Sequence, residues 1–306
     1  MTSRAPRHQG KYLCLPSDRR PWWSPSDFPF RSHYFDTSAG RVHFVDEGTG
    51  PVLLLLSAAP LWSFMYRSFL ARLRGRFRCV AMDFPGFGPS GTTEEGVDLK
   101  AMSTAVTELV EELSLSDVIM VGHDSGGLIA THAAGRMPER LAGVVLANTI
   151  GFTIGRFSPV RMMLRLVTSR PAMAGQAKWN WLVRVITTKG VRLRKFAVSE
   201  RAAYFDAMSD AATRRRPLEV FKAMVDDREF LHEAEAGIAR LRHLPVLSVF
   251  GRLDPVYLIG YQKKFARAFP WHESVVIPGE AHFVPEGAPG EMISAIESWW
   301  SRVGSV

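Results

Sequence analysis

A five-residue turn near the middle of the chain has the layout that exposes a nucleophilic side chain. Gly122-His123-Asp124-Ser125-Gly126 follows the apolar run Val118 to Val121 and precedes a stretch of small residues typical of a helix. Glycines on both sides permit a turn so tight that the central side chain, Asp124, stands clear of the sheet. Ser125 would be the central residue only if glycine occupied position 123. A generic strand–turn–helix junction with a capping aspartate is the alternative interpretation.

Two residues further along the chain could complete a catalytic triad with Asp124. Asp254 follows one predicted strand, and His282 follows the next. Because a carboxylate is ionised at neutral pH, Asp124 needs no base to displace a leaving group from a saturated carbon and form an ester. His282 would then deprotonate the water that hydrolyses this ester, with Asp254 orienting the imidazole. The backbone N–H groups of Ala59 and Ser125 are expected to stabilise the oxyanion.

Alternating strands and helices must position these residues. Strands are predicted at 41–47, 52–56, 78–83, 118–121, 141–146, 246–250 and 273–277. Helices are predicted at about 102–113 and 289–300, and a helix of small residues follows the turn 122–127 and runs through Ala134. Residues 151–240 are helical in character and lack a strand pattern. The alternation predicts the α/β class, with a mostly parallel sheet of about eight strands flanked by helices. Residues 1–150 and 241–306 would form this core, and residues 151–240 a helical cap inserted after the sixth strand.

The composition predicts a globular protein without metal or cofactor. Of the 306 residues, 46% are hydrophobic and 22% charged, which is enough apolar material for a core. Two cysteines, Cys14 and Cys79, exclude a disulfide framework and a Cys-rich zinc module. Seven other histidines lack the context of His282, and we interpret them as structural: His33, His43, His123, His132, His232, His243 and His272.

No segment has the pattern of a membrane span or a secretory signal. The longest apolar stretch, Val52 to Trp62, is interrupted by Ser57 and Pro60 and falls short of the roughly 20 residues that cross a bilayer. The amino-terminal residues are basic and have no apolar core of a signal peptide. We therefore expect a soluble protein in the cytoplasm.

The positive charge is concentrated in one segment. Between Arg156 and Arg216 there are 14 Lys or Arg residues and three acidic residues, whereas the rest of the chain has 24 basic and 27 acidic residues. One interpretation is a solvated helical face whose arginine stems cover apolar surface. The alternative is a surface for an acidic carrier, a carrier-bound substrate or an anionic membrane. Nucleic acid is not expected as a partner, because no recognised binding motif accompanies the charge.

These motifs resemble the haloalkane dehalogenase branch of the α/β hydrolases, which includes related epoxide hydrolases. The similar blocks are DFPFRSHYFDTSAGRVHFVDEGTGPVLLLL (27–56), PLWSFMYR (60–67), FRCVAMDFPGFGPS (77–90), VGHDSGG (121–127), VVLANT (144–149) and the loops around Asp254 and His282. Residues 151–240 are similar in position and helicity only. The resemblance implies an α/β-hydrolase fold, with Asp124 as the nucleophile, His282 as the base and Asp254 as the acid that orients the base.

Two departures from the family pattern affect the stabilisation of the leaving group. The chain has Ser57-Ala58-Ala59-Pro60 where the family usually has His-Gly-Asn-Pro, and Ser125 where it usually has Trp. The Asn amide and the Trp indole of the family stabilise the departing halide, so we expect slow turnover of short chloroalkanes relative to bromo- and iodoalkanes. A cap indole, Trp179 or Trp181, could replace these donors, although packing is the alternative. The candidate pocket residues are Trp62, Trp179, Trp181 and Tyr204.

Three other functions remain open at this stage. An epoxide hydrolase usually carries paired cap tyrosines, whereas only Tyr204 lies in the predicted cap, and Tyr66, Tyr257 and Tyr261 lie outside it. A hydrolase of lactones or esters of a specialised metabolite fits the altered anion site and the basic cap. A non-catalytic binding protein on the same fold is the alternative of another class. A small organic molecule is the expected ligand in each case.

Overall fold

The apolar runs of the sequence form the centre of one mixed sheet. The computed structural model describes residues 12–15, 24–91 and 98–304, so the basic residues 1–11 and 16–23 lie outside the described chain. The strands in chain order are β1 Tyr12–Leu15, β2 Ser32–Thr37, β3 Gly40–Glu47, β4 Val52–Leu56, β5 Arg78–Met82, β6 Val118–His123, β7 Leu141–Ala147, β8 Val246–Gly251 and β9 His272–Ile277. Across the sheet they follow the order β1-β2-β3-β5-β4-β6-β7-β8-β9.

The strand pairing confirms the α/β class and the mostly parallel sheet. Strands β1, β2, β3 and β5 pair antiparallel in succession, and every pairing from β5 through β4 to β9 is parallel. The expected number of strands is corrected from eight to nine, because the short strand β1 adds an edge, with Tyr12 opposite Phe35. The helical insertion therefore follows the seventh strand rather than the sixth.

Helices cover the sheet where the sequence has an apolar stripe. In chain order they are α1 Arg67–Leu73, α2 Leu99–Glu112, α3 Ser125–Arg136, α4 Pro159–Val167, α5 Arg170–Trp179, α6 Trp181–Val185, α7 Val198–Asp206, α8 Ala211–Asp226, α9 Arg228–Arg240, α10 Pro255–Leu258, α11 Tyr261–Ala268, α12 Val284–Gly287 and α13 Pro289–Val303. Asp98 caps α2 by accepting a hydrogen bond from the backbone N–H of Lys100 at 2.7 Å. Small residues let α3 approach α9 closely, since a Cβ on Gly135 would lie 2.4 Å from Cα of Gly237.

The segment between β7 and β8 consists of helices. It contains α4 to α9 and a single π-helical turn, Ile186–Gly190, and its described residues form no strand. This is the position at which the sequence predicts the helical insertion. Within the described chain, no helix is both long and apolar enough to cross a membrane.

Candidate active site

The turn after β6 holds Asp124 in a conformation that most residues avoid. Its φ is 49° and its ψ is −122°, directly before the first residue of α3. A Cβ on Gly122 would lie 2.5 Å from Cα of Gly127, and a Cβ on Gly126 would lie 2.3 Å from the carbonyl oxygen of Ser57. Both positions therefore require glycine, and the close packing of β4, β6 and α3 maintains the strained backbone of Asp124.

The three side chains predicted to act together lie within reach of one another. Nε2 of His282 is 3.3 Å from Oδ1 of Asp124, and Nδ1 of His282 is 3.2 Å from Oδ1 of Asp254. Each of them lies beyond the carboxyl end of a parallel strand: Asp124 after β6, Asp254 after β8 and His282 after β9. The loops at this edge of the sheet therefore bring together residues that are far apart in the chain.

The two carboxylates hold the imidazole of His282 in its protonated form. Burial lowers the pKa of His282, but the charges and hydrogen bonds of Asp254 and Asp124 outweigh burial and raise the pKa to about 10. Burial also opposes ionisation of Asp124, yet the hydrogen bond and charge of His282 keep the pKa of Asp124 below its usual value. The resting site therefore contains an ionised Asp124 beside an imidazolium.

Asp254 is fixed by two further hydrogen bonds. It is fully buried, accepts a hydrogen bond from the backbone N–H of Val256 at 2.9 Å and accepts another from the side-chain amide of Asn148. Asn148 follows β7 and has a φ of 43°. Asn148 is not among the residues expected at the site from the sequence, although a polar residue at the carboxyl end of a central strand is the kind of signal that could indicate it.

Both predicted oxyanion donors have hydrogen-bond partners within the site. The backbone N–H of Ala59 donates to the hydroxyl oxygen of Ser125 at 2.9 Å. The backbone N–H of Ser125 is one of the groups that lower the pKa of Asp124. Ser125 is buried, and its hydroxyl keeps its own hydrogen for a further acceptor.

The candidate pocket residues have partners other than the Asp124 carboxylate. The indole N–H of Trp62 donates to the carbonyl oxygen of Ala203 at 3.2 Å, and that of Trp181 donates to Ala172 at 3.0 Å. Trp179 is largely exposed at the end of α5. The Tyr204 hydroxyl donates to the Glu286 carboxylate. The polar atoms of Trp62, Trp181 and Tyr204 therefore each have a protein partner other than Asp124.

His123 makes a contact that the sequence analysis did not foresee. Its Nε2–H donates to the backbone carbonyl of His282 at 2.8 Å, and the centres of the two rings are 5.2 Å apart. Burial is the main cause that lowers the pKa of His123 to about 4, so its ring is neutral. The residue before Asp124 thus links the turn after β6 to the loop that carries His282.

The loop that carries His282 is also bound to the helical insertion. The carboxylate of Glu280 accepts hydrogen bonds from the backbone N–H groups of Arg192 and Leu193 at 2.8 and 3.1 Å. The backbone N–H of Phe283 donates to the carbonyl oxygen of Gly190 at 3.4 Å. The position of His282 therefore depends on residues of the insertion as well as on β9.

An ion-pair cluster around Glu286, in the short helix α12 that follows His282, also joins the core to the insertion. Glu286, almost completely buried, binds Arg67 of the core and Arg194 of the insertion. Both arginines also bind Glu200, and Tyr204 donates its hydroxyl to Glu286. Burial opposes the charge on Glu200, but the arginines keep its pKa below the usual value.

Among the described residues, no group of His, Cys, Asp or Glu is placed to hold a metal ion.

The sequence and the fold match known proteins over most of the chain. Residues 53–295 match the model of the alpha/beta hydrolase family. The chain is 34% identical over 281 residues to haloalkane dehalogenase 2 of Mycobacterium tuberculosis, covering 89% of this chain and 96% of that protein. It is 24% identical over 286 residues to the cis-3-alkyl-4-alkyloxetan-2-one decarboxylase of Shewanella oneidensis, covering 90% and 89% of the two chains. Haloalkane dehalogenase DbeA from Bradyrhizobium elkani has a similar fold, with a TM-score of 0.80 at 19% identity and coverage of 90% and 98%. The chain thus belongs to the alpha/beta hydrolase family, as a hydrolase of the haloalkane dehalogenase-like type.

Proposed function

We propose that the protein hydrolyses a small organic substrate through a covalent alkyl ester of Asp124, as a haloalkane dehalogenase-like enzyme. The observation that carries this proposal is the position of His282 between the carboxylates of Asp124 and Asp254, at 3.3 and 3.2 Å. A carboxylate at the centre of a strained turn, next to an imidazole that a second carboxylate orients, can act first as a nucleophile and then as a site of ester hydrolysis.

The first step requires no base. Asp124 is ionised because its pKa lies below the usual value. One carboxylate oxygen attacks a saturated carbon of the substrate, a carbon–oxygen bond forms, and the leaving group departs with the electron pair of the broken bond. The product of this step is a neutral alkyl ester of Asp124 and an anion.

The second step uses the change in charge that the first step produces. Esterification removes the negative charge that holds the proton on His282, so the pKa of His282 falls and the imidazolium loses its proton. The neutral imidazole then takes a proton from a water molecule, whose oxygen attacks the ester carbonyl. Asp254 stabilises the imidazolium that forms, and the N–H groups of Ala59 and Ser125 are the proposed donors to the oxyanion. Collapse of this tetrahedral intermediate breaks the bond to the oxygen that carries the alkyl group, which takes the proton of the imidazolium and leaves as the alcohol. The carboxylic acid that remains gives its proton to His282 and restores the carboxylate beside an imidazolium.

The leaving-group site has fewer donors than the family pattern implies. The side chain of Ala59 ends in a methyl group, and the hydroxyl of Ser125 accepts the Ala59 N–H and has one hydrogen left to donate. The indole N–H of Trp181 does not compensate, because it donates to a backbone carbonyl. Loss of one donor to developing charge costs about 3 kcal/mol, on the order of a hundredfold in rate. Bromide and iodide depend less on such donors than chloride does, and we propose bromo- and iodoalkanes as the better haloalkane substrates.

The same lack of halide donors favours a second candidate, the opening of an oxetan-2-one ring. The Shewanella oneidensis relative is named for such a substrate. Asp124 would attack the saturated ring carbon that is bonded to the ring oxygen. This attack would break that carbon–oxygen bond and leave the negative charge on a carboxylate that stays attached to the substrate. Departure of CO₂, with expulsion of Asp124, would then form an alkene without added water. The leaving group in this reaction is a carboxylate that shares its charge over two oxygens, and release of the strain of the four-membered ring assists its departure, so no halide ion has to be bound.

Epoxide opening has less support. Its alkoxide requires a proton donor, and Tyr204 is the one tyrosine of the proposed cap, residues 151–240. The Tyr204 hydroxyl already donates to Glu286, and burial is the largest of the causes that raise its pKa well above the usual value.

We propose that residues 151–240 form a cap over the core of residues 1–150 and 241–306, with the cluster around Glu286 joining the two.

Single turnover in heavy-oxygen water tests these reactions. The protein in excess over a bromoalkane should incorporate one heavy oxygen into the peptide that contains Asp124, because water attacks the ester of this side chain. With a 3,4-dialkyloxetan-2-one, release of alkene and CO₂ without label in this peptide would support the second candidate instead. The Asp124→Asn variant is the control, and it should release neither product. Turnover of either substrate by the Asp124→Asn variant would contradict both reactions.

A further inference from the structure

Helix α4 has an apolar stripe on its outer side. Its inner side packs on the protein through Val160 and Leu164, which are buried. On the other side, Met162, Met163 and Leu166 are 64, 44 and 72% exposed, and Phe157 just before the helix is 85% exposed. Positions 159, 162, 163 and 166 have the spacing of one helical face. A helix that is apolar on both sides normally has a partner on each of them.

Exposed arginines occur in α4 and just beyond both of its ends. Arg156, Arg165 and Arg170 are exposed, and none of them makes an ion pair with a described residue. From residue 140 to residue 199 the chain contains neither Asp nor Glu. The guanidinium of Arg156 lies 5.7 Å from the centre of the Phe157 ring. Cationic and apolar groups therefore occur side by side on the surface.

A shallow depression continues this surface onto the core. It has a volume of about 440 Å³ and is lined by Phe157 and Pro159 at the start of α4 and by Ile259, Tyr261 and Lys264 on the core side. The ammonium group of Lys264 lies 4.3 Å from the centre of the Tyr261 ring. The combination of apolar walls and a cation is again present.

We propose that the outer side of α4, with its three arginines, docks on the surface of an anionic lipid bilayer. The helix would lie parallel to the membrane plane, with Phe157, Met162 and Leu166 at the boundary between headgroups and acyl chains. Arg156, Arg165 and Arg170 would bind the phosphate groups of the lipids. This inference does not depend on which reaction Asp124 carries out.

The charge and the size of the surface favour a lipid bilayer over a protein. A second copy of the chain would bring two basic stretches without acidic residues together, and they would repel each other. The nine residues of α4 span about 13 Å and one face of a helix is about 10 Å wide, so α4 offers on the order of 130 Å², whereas a stable protein interface covers about 800 Å² on each partner. A bilayer offers anionic headgroups and an apolar layer at the same depth, and its fluid surface adapts to a short convex helix.

Vesicle sedimentation tests the proposal with the full chain. Vesicles of phosphatidylcholine alone are compared with vesicles in which about one third of the lipid is phosphatidylglycerol. The unmodified protein should bind the anionic vesicles and not the neutral ones, and salt should weaken the binding. The charge variant is Arg156→Gln/Arg165→Gln/Arg170→Gln. Each arginine near such a surface contributes about fivefold in partitioning, so this variant should bind roughly 100-fold more weakly.

Two further variants separate specific docking from general attraction. Met162→Ser/Leu166→Ser removes apolar side chains and should weaken binding by about tenfold or more. The charge-matched control, Arg140→Gln/Arg240→Gln/Arg242→Gln, changes exposed arginines that precede the amino ends of β7 and β8, and it should bind as the unmodified protein does. Thermal unfolding of each variant verifies that the exposed substitutions leave the fold intact.

Several outcomes would overturn the proposal. These are no binding to anionic vesicles at low salt, an equal loss in the charge-matched control, or unchanged binding of the Met162→Ser/Leu166→Ser variant. A concentration-dependent dimer that this double variant abolishes would assign the surface to a second copy. Binding to polyglutamate as strong as binding to the anionic vesicles would assign it to an acidic protein.

Discussion

Replacement of Asp124 by asparagine should lower the pKa of His282. In the intact site, Asp254 and Asp124 together raise this pKa to about 10. Asparagine keeps the size of the side chain and removes its negative charge. The variant therefore reproduces the change in charge that esterification of Asp124 brings about, without any substrate.

The size of the effect follows from the distance between the two groups. A unit charge 3.3 Å from Nε2 of His282 contributes about 5 kcal/mol at an effective dielectric constant of about 20, which corresponds to a pKa difference of about 3.5. A quarter of the His282 side chain is exposed, so solvent screens part of this interaction. We expect the pKa of His282 to fall by about 2 to 3, into the range in which a neutral imidazole is available as a base at neutral pH.

Nuclear magnetic resonance of nitrogen-labelled histidine measures this pKa directly. The His282 signal is assigned from its absence in a His282→Gln variant. In the unmodified protein the ring should stay protonated to pH 9 or above, whereas in Asp124→Asn it should lose its proton near neutral pH. Equal pKa values in the two proteins would refute the idea that the charge of Asp124 controls the proton on His282. So would an ordinary pKa of His282 in the unmodified protein.

Three further predictions concern the pH dependence, the turn and the ion-pair cluster. Below neutral pH the unmodified protein should accumulate the Asp124 ester, because the base stays protonated as pH falls, and quenched-flow mass spectrometry detects this ester. Gly126→Ala should abolish activity or folding, since its Cβ would lie 2.3 Å from a carbonyl oxygen just after β4, whereas Gly75→Ala, with no atom within 4 Å of its Cβ, should retain both. Glu286→Ala removes the buried partner of two partly buried guanidinium groups, which keep Glu200, and should cost about 3 kcal/mol in denaturant unfolding, whereas Asp36→Asn in an exposed pair should cause no measurable change.

The sequence predicted the centre of the fold because its strands are continuous apolar runs. Strands β4 and β6 are buried over almost their whole length, and runs of this kind are distinctive. The two strands at the antiparallel edge were missed. β1 has four residues, and β2 mixes buried and exposed positions without a regular alternation. Short or partly exposed edge strands carry a weak pattern, and their pairing is decided by the rest of the sheet.

The candidate site was predictable as far as its three charged side chains, because each follows a strand whose carboxyl end lies at the same edge of the sheet. Their supporting contacts were not predictable. Asn148 and Asp254 are 106 residues apart in the chain, and His123 meets the backbone of a residue 159 positions away. Such contacts depend on the relative position of whole loops. The role of Trp181 in the insertion was not predictable either, because its N–H donates to a backbone carbonyl nine residues away rather than to a ligand.

The covalent ester is the central claim, and a His282→Gln variant tests it most directly. Without the base, the first step should proceed and the second should stop, so mass spectrometry after incubation with a bromoalkane should show one added alkyl group. Proteolysis should locate this group on the peptide that contains Asp124, and the double variant with Asp124→Asn should carry none. A folded His282→Gln variant that gains no alkyl group from a substrate that the unmodified protein turns over would contradict the two-step mechanism, as would an alkyl group on any other residue.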